Sequence, residues 1–326
     1  MEFKMKVYRL CMMFVMMYSL FQLQACGKTG SVGQPSETNA TLATPVAKQL
    51  ISRDENRNWR AVASSADGKK LVAVVQGGFT YTSTDAGLTW IQGSTYGVWI
   101  AVASSADGVR LIAAELAGRL YTSTDSGASW VAGDADRNWT AVASSADGTK
   151  LVAAELGGQI YTSTDAGICW TPRDEQRNWI SVASSADGTR LIAAETAHGQ
   201  LYSSSDSGVT WIARDAARGW YSVAISSDGS KAIAADCSGQ IFNSFDYGAS
   251  WTSTGLSGTG WIALALSADG TKEFALAGGG TLFTSINSGA SWTQHSTDIN
   301  WTSITSSADG KSVVAVANEG KIYTLD

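Results

Sequence analysis

Four carboxylates stand at the same place in four consecutive repeats of this chain: Glu115, Glu155, Glu195 and Asp236, each closing a short apolar run. Acidic groups held close together raise one another's proton affinity, which general-acid chemistry needs. The same grouping suits a cation, a basic peptide segment or a sugar. The other repeats carry Val75, Ala277 and Ala317 there, so the charge would gather on one arc. His198 lies beside the set, in a loop one residue longer than its counterparts, Glu195-Thr196-Ala197-His198-Gly199. A solvated, solubilising rim is the competing reading of this candidate ligand-facing set.

A second charged set precedes the recurring tryptophans: Asp54 and Arg57, Asp134 and Arg137, Asp174 and Arg177, Asp215 and Arg218. Local ion pairing accounts for it, at about 0–1 kcal/mol for an exposed pair. Two histidines, His198 and His295, are too few for a histidine-rich zinc site. Cys169 and Cys237 fall in the third and fifth repeats, outside any Cys-x-x-Cys pattern, and in repeats that are not neighbours. Serines and aspartates are plentiful but occupy repeat positions, so no Ser-His-Asp set stands apart. No catalytic residue, metal or cofactor is assigned.

The elements that must position these groups are set by a strict period. Trp59, Trp99, Trp139, Trp179, Trp220, Trp261 and Trp301 open seven similar stretches, spaced by 40 or 41 residues. Each stretch but the last holds four β-prone runs. Ala146-Asp147-Gly148 illustrates the first turn, in which Asp bonds its own backbone and Gly accepts positive φ. Gly157-Gly158 illustrates the second. A period of 40–50 residues with four strands per unit predicts propeller blades. The expected fold is all-β, a seven-bladed β-propeller of four-stranded antiparallel blades over residues 46–326.

The seventh copy ends at Asp326 after three strands. The stretch Leu50-Ile51-Ser52-Arg53-Asp54-Glu55-Asn56-Arg57-Asn58-Trp59 has the spacing of Trp170-Thr171-Pro172-Arg173-Asp174-Glu175-Gln176-Arg177-Asn178-Trp179. An N-terminal strand near residues 47–53 is therefore expected to complete the last blade and remove the open sheet edges.

Each unit but the last closes with Ser-x-Asp-x-Gly-x-Ser/Thr-Trp, as in Ser83-Thr84-Asp85-Ala86-Gly87-Leu88-Thr89-Trp90. The pattern resembles the Asp-box, or bacterial neuraminidase repeat. Its acidic position is held by Asp85, Asp125, Asp165, Asp206 and Asp246, with Asn287 in the sixth copy and Cys169 at the Ser/Thr position of the third. The resemblance implies a structural turn between third and fourth strands, not a catalytic one. It also accounts for Trp90, Trp130, Trp170, Trp211, Trp251 and Trp292, so all 13 tryptophans are repeat positions. Packing between blades, rather than stacking on sugars, is expected of the seven opening tryptophans.

Charged residues make up 16%, and the net charge is −6. A basic stripe to neutralise phosphates is lacking, so nucleic acid is not expected as a partner. Residues 1–25 read as a lipoprotein-type signal peptide: Lys4, Lys6 and Arg9 precede an apolar core, Leu10 to Phe21, too short for a stable span. Leu23-Gln24-Ala25-Cys26 resembles a bacterial lipobox, which implies lipidation of Cys26 and an outer-membrane or cell-surface location in the cell envelope; plain secretion is the alternative. Residues 26–45 read as a flexible tether.

Repeated Asp-boxes together with a lipobox resemble the photosystem II stability/assembly-factor-like propellers. That likeness implies a lipid-anchored, non-enzymatic binding or assembly scaffold, with the membrane reached through the anchor and a protein or glycan as partner. Two alternatives stay open. One is a glycoside hydrolase of Asp-box propeller type, although the arginines here mostly occupy repeat positions and no Phe-Arg-Ile-Pro-like start is present. The other is a glycan-binding lectin with repeated pockets.

Overall fold

The computed structural model describes residues 49–325, apart from Ala197 and Thr259. The signal segment 1–25, Cys26 and the tether 26–45 lie outside the described residues. The described chain is all-β: 24 strands and no helix. Every sheet pairing among them is antiparallel.

One register recurs in all seven repeats. The opening tryptophan faces the last residue of the next run, as in Trp59↔Val75, Trp99↔Glu115, Trp220↔Asp236 and Trp301↔Ala317. Immediately afterwards the first strand carries an extra residue, so that Ala101 pairs with Ala114 and Ser222 with Ala235. Such a bulge bends the strand and re-aims its side chains. The residue following each tryptophan is the one it re-aims.

Four-stranded sheets are cleanest in the later repeats, for example Trp220–Ile225, Ala232–Asp236, Gln240–Ser244 and Thr252–Ser257. Elsewhere the runs do not all break where the sequence predicts. Leu71–Ser83 and Leu151–Ser163 stay extended through the turn at Gly77 and Gly157, both at positive φ. Ile91–Ser104 and Thr171–Ser184 pass without interruption from one sheet into the next, joining strands into six-stranded sets. Gly77 and Gly157 take the left-handed conformation that glycine allows, while the strand pairing resumes on either side of the corner.

Leu50–Arg57 pairs with Gly320–Leu325, in the register Leu50↔Leu325, Ile51↔Thr324, Ser52↔Tyr323 and Arg53↔Ile322. The tryptophan-led strands also touch in order, and the first touches the last, Trp59–Ser64 against Trp301–Ser306. At their far ends a backbone circuit runs through every repeat. Ala66 donates its N–H to Ala106 O, Ala106 to Ala146, Ala146 to Ala186, Ala186 to Ser227, Ser227 to Ala268, Ala268 to Ala308 and Ala308 to Ala66, all at 2.7–2.8 Å.

The core is divided among the contacts between successive repeats. Trp99, Val102, Leu111 and Ala113 pack on Ala61, Ala63, Val72 and Val74 of the repeat before. Trp59, Val62, Leu71 and Ala73 pack in the same way on Val314, Val316 and Ile322 of the last. Small Ala and Val on one face leave room for the indole from the other. Each opening tryptophan meets an aromatic of its own repeat edge-on, Trp59 with Tyr81 at 5.0 Å and Trp220 with Phe242 at 5.3 Å. Truncating one such indole to alanine costs about 3–5 kcal/mol.

Candidate functional site

The ends of the sheets that carry the opening tryptophans also carry the acidic set and the Asp/Arg set. Glu115, Glu155 and Glu195 lie opposite Trp99, Trp139 and Trp179 on adjacent strands. All three are partly exposed. Their side chains fold over the following hairpin: a Cβ at Gly118 would stand 2.5 Å from Glu115 Oε2, and Gly158 and Gly199 are crowded likewise by Glu155 and Glu195. A methyl group at these glycines would push the glutamate side chain out of its present position.

These carboxylates are held loosely. Tyr121 donates its hydroxyl to Glu115 Oε2 at 3.4 Å, the Val98 N–H reaches Oε1 at 3.4 Å, and Tyr202 donates to Glu195 Oε2 at 3.3 Å. Burial, with the adjacent glutamate adding to it, pushes the Tyr121 phenol above its ordinary value. Burial also raises Tyr202, opposed by the Arg177 charge and aided by Glu195. Bonds of this length are weak, so Glu115 and Glu195 keep acceptor capacity for an N–H-bearing or cationic partner.

Asp236 differs from the three glutamates. It is 1% exposed, and its carboxylate is taken up by its own hairpin: Ser238 Oγ donates at 2.8 Å to both oxygens and the Gln240 N–H at 2.9 Å. The acidic arc presented to solvent is therefore Glu115, Glu155 and Glu195. His198 is exposed, at φ 69°, at the tip of the turn closed by the Gly199 N–H on Thr196 O. Among the described residues no three His, Cys, Asp or Glu side chains converge as a metal site.

The Asp/Arg set forms a repeated stack. Asp54, Asp174 and Asp215 adopt positive φ, between 54° and 57°. That turn brings Arg57 to 3.8 Å from Asp54 and 3.3 Å from Glu55, Arg177 to 3.5 Å from Asp174 and 3.0 Å from Glu175, and Arg218 to 3.4 Å from Asp215. Each guanidinium then lies over the aromatic that braces the tryptophan: Arg57 over Tyr81 at 4.7 Å, Arg137 over Tyr161 at 4.3 Å, Arg177 over Tyr202 at 4.8 Å and Arg218 over Phe242 at 4.7 Å. Ion pairing is thus joined by cation–π stacking, about 0.5–2 kcal/mol each. Arginine, planar and permanently charged, serves both at once.

At the opposite ends of the strands, aspartates are bound by their own turns. Asp85 accepts from Ser83 Oγ at 2.7 Å, the Thr89 N–H at 2.9 Å and Thr89 Oγ1 at 2.5 Å. Gly87, at φ 84°, donates its N–H to Ser83 Oγ, and Trp90 Nε1 donates to Gly87 O at 3.1 Å. The Thr89 donors in particular hold the Asp85 carboxyl down at about 2. Asp125, Asp165, Asp206 and Asp246 repeat the arrangement, with the Cys169 N–H donating to Asp165 at 2.9 Å and its thiol taking the place of the Ser/Thr hydroxyl. Asn287 keeps it through Oδ1 and turns Nδ2 to Ser291 Oγ at 2.9 Å. Cys169 and Cys237 form no disulfide.

Two features escaped the sequence reading. Glu273 is 3% exposed where most other repeats have an aliphatic residue, and Asn243 Nδ2 donates to its Oε1 at 3.0 Å from the preceding repeat. Burial pushes the Glu273 carboxyl up to about 7 against the Asn243 bond. The second is Arg60, directly after the first tryptophan, where the other copies have Ile100, Thr140, Ile180, Tyr221, Ile262 and Thr302.

No protein-family model and no curated protein matches the chain. Solved structures do. The chain is similar to YCF48 bound to D1 peptide, with 14% identity, a TM-score of 0.69, and coverage of 87% of this chain and 98% of that one. It is also similar to YCF48 from Cyanidioschyzon merolae, with 15% identity, a TM-score of 0.67, and coverage of 85% and 98%. At these identities the likeness is one of fold, and the fold it shows is the β-propeller.

Proposed function

We propose that this chain is a seven-bladed propeller, closed by its own N-terminal strand, that works as a non-catalytic binding or assembly scaffold for a protein partner. The blade count is supported by the seven-step backbone circuit that returns from Ala308 to Ala66, and closure by the pairing of Leu50–Arg57 with Gly320–Leu325. The turn bonds around Asp85 and its equivalents support the Asp-box reading. The observation that carries the functional reading is the likeness to a propeller whose structure holds a bound peptide. The arc of Glu115, Glu155 and Glu195 offers partly exposed carboxylates with acceptor capacity to spare, which suits a basic peptide segment. Anchoring through a lipidated Cys26, and with it a place in the cell envelope, belongs to the same proposal.

The test is crosslinking capture by the full chain in its native cells, alongside a triple variant, Glu115→Gln, Glu155→Gln and Glu195→Gln. One specific partner held by the parent and lost at least tenfold by the variant supports the reading. Equal capture by both overturns the acidic arc as the contact. Cleavage of a polysaccharide by the purified parent, abolished by Glu155→Gln or Glu195→Gln, overturns the scaffold reading in favour of a hydrolase. Release of the chain from membranes by Cys26→Ala checks the anchor separately.

A further inference from the structure

The Asp-box turns and the strands that leave them hold large apolar side chains in solvent. Phe245 and Ile286 follow the first serine of their boxes. Leu88, Ile168 and Val209 stand just before the Ser/Thr position, and Ile91, Val131 and Ile212 come directly after the box tryptophan. Each is more than half exposed. All six boxes carry at least one such residue, but not in a fixed slot. The second repeat has Ala128 in the slot of Leu88 and supplies Val131; the sixth has Ala290 there and supplies Ile286. A packing requirement would fix the slot, as it fixes Gly87 and Trp90. A requirement met from different slots by side chains that touch solvent belongs to an external contact.

The exposure is one-sided. Among the large apolar and aromatic side chains exposed in the described residues, Tyr96 and Tyr221 alone lie at the end that carries the opening tryptophans and the glutamates. The rest lie at the Asp-box end. Each box is fastened there to the turn of the backbone circuit: Ala86 donates its N–H to Lys69 O, Ser126 to Val109 O and Ala166 to Thr149 O. The boxes therefore share one side of the molecule. Exposed apolar side chains collected on one side mark a contact with a membrane or a protein.

Two observations choose the membrane. The first is where the N-terminal strand begins. Leu50 pairs with Leu325, and Leu325 with Val313, the first strand residue after the turn at Asp309, so the strand enters at the Asp-box end. Residues 26–45, read from their composition as a tether, precede it, and a coil of that length spans about 25 Å. An anchor at Cys26 thus delivers this end to the bilayer at high local concentration, where weak apolar contacts suffice. The second is charge. Donors in their own turns hold the carboxyls of Asp147, Asp187 and Asp309 at about 2, so they are ionised. The basic residue of the preceding repeat reaches across each: Arg110 Nη1 donates to Asp147 O at 2.8 Å, Lys150 Nζ to Asp187 O at 2.9 Å and Lys272 Nζ to Asp309 O at 2.6 Å. Interleaved charges of both signs match zwitterionic headgroups.

We infer that the Asp-box end is a membrane-facing rim whose exposed apolar side chains enter the interfacial layer of a zwitterionic phospholipid bilayer, leaving the acidic arc turned away from it. This rests on the Cys26 anchor proposed above, which brings the rim to the surface.

The experiment uses the full chain with its anchor, purified from its native cells and reconstituted into phosphatidylcholine vesicles that contain a spin-labelled phosphatidylcholine as quencher. In a Cys169→Ser, Cys237→Ser background, Ile168→Cys and Tyr96→Cys each carry the same dye, at opposite ends of the sheets. The dye at position 168 is expected to be quenched at least threefold more than the dye at position 96. Adding Ile91→Ser, Val131→Ser, Val209→Ser and Ile212→Ser should bring the two to equality, with melting temperature and flotation with the vesicles unchanged. Flotation with equal quenching at both positions before that change rejects the rim and leaves the anchor standing. A chain that does not float rejects the anchor and the rim together. A dye at position 168 that escapes the lipid quencher but self-quenches as surface density rises shows a second copy of the chain on this end and overturns the bilayer as its occupant. Threefold quenching that survives the four serine substitutions overturns the apolar side chains as the contact.

Discussion

Ala308 donates its backbone N–H to the carbonyl of Ala66 over 2.7 Å. The seventh repeat is thereby tied to the first by the same bond that ties every other adjacent pair. A sheet repeat that cannot bury both faces alone gains them from two neighbours, so stability here is shared around the circuit instead of stored in one central core.

Removing residues 49–57 takes away the strand that covers Gly320–Leu325 and leaves that edge open. Open edges recruit other chains. The deletion is expected to move the protein from a single monomer peak to aggregates on size-exclusion chromatography. A monomer with the parent's melting transition would contradict the role given to Leu50–Arg57.

Glu273 and Asn243 form a polar pair where the second and third repeats meet with Leu151 and Thr122 against Gly167. Glu273 Oε2 and Asn243 Oδ1 are buried without a partner. Replacing the pair together, Asn243→Thr with Glu273→Leu, restores the packing used elsewhere and removes both unsatisfied atoms. Urea unfolding should show a gain of about 2 kcal/mol. A loss in the double variant would mean that the pair stabilises the interface.

The same carboxyl sets a pH dependence. Folded Glu273 keeps its proton up to about 7, whereas 4.5 is its ordinary value. The folded state therefore binds more protons between those limits. Its contribution is complete below 4.5 and is lost as pH rises through about 7, on the order of 3 kcal/mol. Asp85, Asp125, Asp147, Asp187 and Asp269 run the other way: donors in their own turns hold them at about 2, against 3.8 ordinarily. Their contribution is complete above 3.8 and is lost as pH falls through about 2. Melting temperature should peak near about pH 4–5. In the Asn243→Thr, Glu273→Leu variant the decline toward pH 7 should vanish while the acid limb stays.

Asn287 offers Nδ2 to Ser291 Oγ where Asp246 accepts the Ser250 hydroxyl at 2.6 Å. An aspartate at 287 would let the hydroxyl donate to a charged oxygen, the stronger arrangement. Asn287→Asp is expected to hold or raise the melting temperature, by up to about 1 kcal/mol in stability. A clear drop measured by calorimetry would reject this account of the turn.

The repeat was legible because its signals are local. Asp and Gly declare their turns wherever they occur, and Leu50, aligned with Trp170, pointed to the strand that now pairs with Leu325. The acidic arc was legible in position but not in exposure. Asp236 looks like Glu195 in an alignment, and its burial depends on Ser238 and the Gln240 N–H curling back onto it. Glu273 and Arg60 were visible as breaks in the repeat. What the Glu273 break meant depended on a neighbouring repeat, through the bond from Asn243. Contacts between repeats are the part of the fold that a period alone does not spell out.

The most direct test of the account is amide hydrogen exchange, resolved by residue, at Ala66, Ala106, Ala146, Ala186, Ser227, Ala268 and Ala308. If the circuit is closed, all seven amides exchange slowly and at similar rates, set by opening of the whole ring. Slow exchange at the other six positions with fast exchange at Ala308, whose N–H is the one donated to Ala66 O, would show an open stack and contradict it.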